Sequence, residues 1–153
     1  MRVLPTPYHG IVDYSVGSML VVSPWVVDFD KVTSVGVWIA VLGGLALMLS
    51  SAVTDYEGSI LARWLTMTQH LWLDGVLALI LIATPFVFGF YDEGTYAWLP
   101  FVGAGVIELV SMMITQTTSQ QAIALHAAEQ RLEAHARAFN RRSRLGDMRS
   151  RRA

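Results

Sequence analysis

Two histidine–aspartate pairs with identical spacing are the residues in this chain most able to do chemistry. His9 precedes Asp13 by four positions, and His70 precedes Asp74 by four. Residues four apart share a helix face, so each pair would offer an imidazole and a carboxylate to one neighbour. A third carboxylate, Glu108, stands alone in an apolar run. Three chemistries fit this set. The carboxylates can bond the histidines, the helix ends and Tyr14, and so fix helix register. They can handle protons or cations, because crowded carboxylates repel one another and hold a proton between them. The set can also ligate a metal, and two histidines from different helices suit axial haem ligation. No His-x-x-x-His or Glu-x-x-His spacing accompanies the pairs. Cysteine is absent, which excludes disulfides and thiolate metal sites. No nucleophile–base pair or phosphate loop is visible, so no catalytic residue is assigned and no cofactor is required.

The elements that must position these residues are apolar helices. Of 153 residues, 54% are hydrophobic and 15% charged, too little charge to cover a water-soluble surface. Four apolar stretches stand out, at about 8–23, 32–53, 69–86 and 96–116. A spanning helix needs about 20 residues, and in lipid every backbone N–H and C=O must be bonded within the segment. No run alternates with period two, so a β-barrel is not expected. The links Asp28–Lys31 and Tyr91–Thr95 are short, which makes their flanking helices antiparallel neighbours. The longer link, Thr54–Gln69, places Ile60, Leu61, Trp64 and Leu65 at helical spacing, and an interfacial helix is expected at about 59–66. Asp13 and Asp74 should then lie about 6 Å deeper than their histidines, at about 1.5 Å per residue. Glu108 reaches a similar depth from the opposite direction. Ionisable groups in such positions cost about 3 kcal/mol or more and face the interior. His9, Asp13, His70, Asp74 and Glu108 are therefore expected to converge.

The chain repeats itself. At an offset of 61, His9 matches His70, Asp13 matches Asp74, Pro24 matches Pro85 and Phe29 matches Phe90. Ser23-Pro24-Trp25 becomes Thr84-Pro85-Phe86. In the following helices, Trp38 and Gly43 pair with Trp98 and Gly103 if one residue is deleted from the loop. Each Ser/Thr-Pro-aromatic motif is expected to end its helix, with serine as cap of the next turn and Trp25 at the headgroup level. Gly17, Gly43, Gly44, Gly103 and Gly105 are read as packing positions.

This pattern resembles the SPW repeat family of bacterial integral membrane proteins. The features that carry it are Ser23-Pro24-Trp25 with Phe29, the opening Pro5-Thr6-Pro7-Tyr8-His9-Gly10, Asp13-Tyr14, and Thr54-Asp55-Tyr56-Glu57 between the halves. The resemblance covers about residues 2–115 and implies a fold and a bacterial inner-membrane location, not an activity.

The tail differs in kind. Eight of the eleven basic residues lie from Arg131 onward. Leu125, Leu132 and Phe139 recur every seven residues, so an amphipathic helix is expected to about Asn140, followed by a disordered arginine-rich end. Such a helix suits anionic lipid or pairing with a second copy or another membrane protein. Those roles account for the tail without a nucleic-acid partner. Arg2, Arg63 and the tail fall on one side of a four-span arrangement, which places both termini in the cytoplasm. The expected architecture is all-α: a four-transmembrane-helix bundle of two tandem hairpins (1–58 and 59–118), with a tail at 119–153. Its role is expected to be structural or partner-binding.

Overall fold

The computed structural model describes residues 3–56, 59–61, 63–118 and 120–150. Five helices follow one another: α1 Thr6–Val26, α2 Ser34–Ala52, α3 Met67–Val87, α4 Thr95–Ile114 and α5 Gln120–Ser150. Single 3-10 turns, Phe29–Lys31 and Tyr91–Glu93, join α1 to α2 and α3 to α4. No β-strand occurs among the described residues. Helices α1–α4 belong to one compact unit and α5 forms a second. Within the first, α1 packs along α2 and α3 along α4, with smaller contacts from α1 to α4 and from α2 to α3. Helices α2, α3 and α4 are each long and apolar enough to cross a membrane. Helix α1 is as long, with 21 residues, but less apolar, with prolines, tyrosines and serines beside His9 and Asp13.

Local chemistry sets the helix starts. Thr33 caps α2 by accepting from the Gly36 N–H at 3.1 Å. Thr66 and Gln69 form a reciprocal capping box on α3. Proline in the first turn opens α1, where a missing N–H costs nothing.

The proline motifs do not end their helices. Helix α1 runs through Pro24 to Val26, and α3 through Pro85 to Val87. Pro24 has no N–H for the Leu20 carbonyl, and the Ser23 hydroxyl donates to that carbonyl instead, at 2.8 Å. Serine thus repairs the helix rather than capping a new turn. In the second copy, Thr84 donates to Ile80 O at 2.7 Å.

The expected interfacial helix at 59–66 is also absent among the described residues. Leu61 N–H donates to Ala52 O at 3.1 Å, and Trp64 and Leu65 N–H both donate to Val53 O, at 2.9 and 3.1 Å. The segment folds over the end of α2 and satisfies carbonyls that a helix terminus leaves open; these donors are then lost to any helix of its own. Helix α5 continues to Ser150, past Asn140. The arginine-rich stretch has good helix formers and no proline. Residues 151–153 lie outside the described residues.

Burial repeats at the offset of 61 at most core positions. Buried His9, Gly10, Asp13, Gly17, Leu20, Ser23 and Pro24 are answered by His70, Leu71, Asp74, Ala78, Leu81, Thr84 and Pro85. Gly36, Ala40, Gly43, Gly44 and Leu47 are answered by Ala97, Phe101, Ala104, Gly105 and Glu108. No deletion is needed in the loop: Gly43 corresponds to Ala104, not Gly103. A Cβ on Gly17 would lie 2.7 Å from Gly44 O, and one on Gly105 would lie 2.6 Å from Ala78 O. The glycines allow the close crossing of each helix pair, whereas a Cβ on Gly103 would meet nothing within 4 Å. At the turn end of the unit, Phe29 and Phe90 each pack on Phe101, with ring centroids 5.3 Å apart.

The links at the other end mirror each other too. Thr54 bridges Leu65, and Leu4 bridges Thr115. The two bridges correspond at the offset of 61, Thr54 to Thr115 and Leu4 to Leu65.

Candidate functional site

At the end opposite the turns, α1 contributes His9 and Asp13, and α3 contributes His70 and Asp74. All four are buried, at 0–1% exposure. One ligand atom from each lies within 4.8 Å of the others. The pairs cross between repeats. His9 Nε2 lies 3.0 Å from Asp74 Oδ2, and His70 Nε2 lies 3.0 Å from Asp13 Oδ2. The contacts within each helix are longer: His9 to Asp13 Oδ1 at 3.5 Å and His70 to Asp74 Oδ2 at 3.2 Å. The imidazole rings meet edge to face, with centroids 5.2 Å apart at 85°. The four groups make a square in which each histidine faces both aspartates.

Hydroxyls orient the square. Ser51 donates to Asp13 Oδ2 at 2.8 Å. Its one proton is then committed, so Tyr56 Oη donates to Ser51 Oγ. Burial pushes the Tyr56 phenol up to about 12, against the opposing pull of the Ser51 bond, so it remains a donor. Its ring stacks on His70, with centroids 6.4 Å apart at 17°. On the other side, Thr115 Oγ1 donates to Ser111 O at 2.6 Å. Toward His9 Nδ1, 3.1 Å away, Thr115 can then only accept. His9 Nδ1 is thus held between Thr115 Oγ1 and Ser111 Oγ, the latter 2.7 Å away.

Glu108 of α4 is fully buried, with Asp13 and Asp74 as its charged neighbours. Neither of its oxygens has a hydrogen-bond partner among the described residues, and Asp13 Oδ1, Asp74 Oδ1 and His70 Nδ1 share that condition. Tyr14 does not bond the carboxylates; its hydroxyl is buried without a hydrogen-bond partner. The repeat-turn residues stand apart from the square. Phe29, Phe90, Ser23, Thr84, Pro24 and Pro85 are buried toward the turn end, while Trp25 and Phe86 are exposed.

Ser51, Tyr56, Ser111 and Thr115 were not singled out from the sequence as site residues. Helical hydroxyls are cheap in apolar segments and leave no mark on hydropathy. One signal was available: Thr54 and Thr115 match at the repeat offset, next to the helix ends that the histidines approach. A groove of about 250 Å³ between α2 and α3 has Asp74 in its wall, beside Ala46, Leu73 and Leu77.

Fold and site together define an all-helical protein with three membrane-length apolar helices and a buried histidine–carboxylate square. A family model, the SPW repeat domain, matches residues 7–123. The chain belongs to the SPW repeat domain family. Comparison with curated proteins and with solved structures gave no match.

Proposed function

We propose that this protein is a four-span inner-membrane protein of bacteria, with both termini in the cytoplasm and a structural or partner-binding role. In this reading the His/Asp square locks two tandem hairpins together. The observation that carries it is the inversion of polarity in the helices. His9, Asp13, His70, Asp74 and Glu108 are buried, while Ile11, Trp38, Leu42, Leu49, Trp72 and Leu79 are exposed. Water would not tolerate that surface, and lipid favours it. Helix α1, with Met19, Val22 and Val26 exposed, serves as the fourth span. Exposed Arg131, Arg137 and Arg141 on the tail attract anionic headgroups.

Because the chain lacks cysteine, topology can be read with single introduced thiols. Asp28→Cys and Asp92→Cys should react with an impermeant maleimide in spheroplasts. Asp55→Cys and Thr117→Cys should react only after the membrane is opened. Protection of Asp28→Cys in sealed spheroplasts would remove α1 as a span. The lock is tested by exchange. His9→Asp and Asp74→His should each cost about 3–5 kcal/mol of stability in detergent, and the double exchange should recover part of it. Equal melting of the single and double variants would dismiss the lock.

A further inference from the structure

A lock needs two crossed ion pairs, and the square contains more than that. The excess is buried acceptor capacity: among the described residues, Asp13 Oδ1, Asp74 Oδ1 and both Glu108 oxygens meet no hydrogen-bond donor. The His9 Nδ1 is held by Ser111 and Thr115, and its Nε2 lies 3.0 Å from Asp74 Oδ2. A divalent ion held among these atoms would engage the buried acceptors together.

We infer that His9, Asp13, His70 and Asp74 form a binding site for one divalent transition-metal ion of the zinc class, with Glu108 beside it as a further carboxylate. The geometry supports this. Zinc bonds to imidazole nitrogen and carboxylate oxygen at about 2.0–2.1 Å, which sets tetrahedral ligand–ligand edges of about 3.3 Å. Among His9 Nε2, His70 Nε2, Asp13 Oδ2 and Asp74 Oδ2, three nitrogen–oxygen separations are 3.0, 3.0 and 3.2 Å, and one ligand atom from each residue lies within 4.8 Å of the others. Charge supports it as well, since two ionised aspartates balance a divalent ion. The other ring nitrogen of His9 is hydrogen-bonded outward, the usual support for a ligating histidine. The carboxylates crowd the space between the rings, which suits a bare ion and not a macrocycle. The groove between α2 and α3, with Asp74 in its wall, gives an approach from the helix surface.

The site goes beyond the lock, and its failure leaves the lock standing. The test uses the full chain in detergent, purified from zinc-supplemented cells. Metal content is measured by mass spectrometry, and melting is followed after chelation and after adding back zinc chloride. A single zinc ion per chain is expected, with melting that falls on chelation and recovers on addition. The pair Asp13→Asn with Asp74→Asn keeps the side-chain shape and should weaken zinc binding at least about tenfold, the scale seen even for supporting residues. Ser111→Ala should weaken it by a smaller factor. X-ray absorption of the unmodified protein should show two imidazole ligands, a readout that stands even if the variants fail to fold. Wild-type protein with under a tenth of an equivalent of zinc and no response to added zinc would overturn the proposal. So would zinc retained at full affinity in the double variant, or an absorption spectrum without imidazole.

Discussion

Leu47 of α2 stands where α4 has Glu108: both are fully buried, and they are related by the repeat offset. This one difference puts a third carboxylate against Asp13 and Asp74 in the second half only. A buried carboxylate without hydrogen-bond partners is a cost that the repeat partner avoids. Glu108→Leu is therefore expected to raise the stability of the zinc-free protein by about 1–3 kcal/mol, read as a higher melting temperature in detergent. A lower melting temperature would mean that Glu108, protonated, bonds the neighbouring Asp13 carboxylate. Gly10 offers a second probe. A Cβ there would strike the Tyr56 ring and hydroxyl, so Gly10→Ala should displace the group that donates to Ser51 and cost about 1–3 kcal/mol. The convergence of His9, Asp13, His70, Asp74 and Glu108 was legible because so few ionisable residues interrupt the apolar runs. Their crossed partnership was not. Spacing within one helix says which residues share a face, and it is silent about which residue of the other helix completes each pair.

Among the elements, helix existence was legible and helix ends were less so. Proline without an N–H reads as a stop, but the lost bond is local, and a neighbouring hydroxyl can satisfy the stranded carbonyl. Ser23 does this for Leu20, so Ser23→Ala should cost about 1 kcal/mol and fray α1 beyond Leu20, visible as faster amide exchange there. The connector at 59–66 misled for a related reason. Its helical spacing of apolar residues was real, but its N–H groups are held by the end of α2. Glycine position within a helix pair is equally informative. Gly44 lies against the Gly17 carbonyl and the Val21 and Leu20 side chains, whereas Gly103 faces open space. Gly44→Ala should destabilise by about 1–3 kcal/mol, and Gly103→Ala should stabilise by up to about 1 kcal/mol through helix propensity. Equal effects from the two would contradict the close crossing of α1 and α2.

For the α1–α4 unit as a whole, composition pointed to lipid as the solvent, and the burial pattern is compatible with that reading: the buried histidines and aspartates lie at one end of the interior, Phe29, Phe90 and Phe101 at the other, and apolar side chains cover much of the outside. Matching Trp38 to Trp98 places a one-residue slip between α2 and α4, whereas the buried small residues match at the unbroken offset of 61. Trp38 is exposed and Trp98 is half-buried against Tyr91, and neither sits at a helix crossing; Gly44 and Gly105 do, where an ångström matters.

The bridge between Leu4 and Thr115 implies that the helices form a closed circuit with one covalent seam. The backbone crosses from Thr54 to Leu65 through a linker, and from Thr115 to Leu4 through hydrogen bonds alone. A rearranged gene that begins near residue 59, tethers residue 118 to residue 3 through a short flexible linker, and ends near residue 56 should yield the same interior and a similar melting temperature. By the same logic, either hairpin expressed without the other would find its missing half in a second copy of itself.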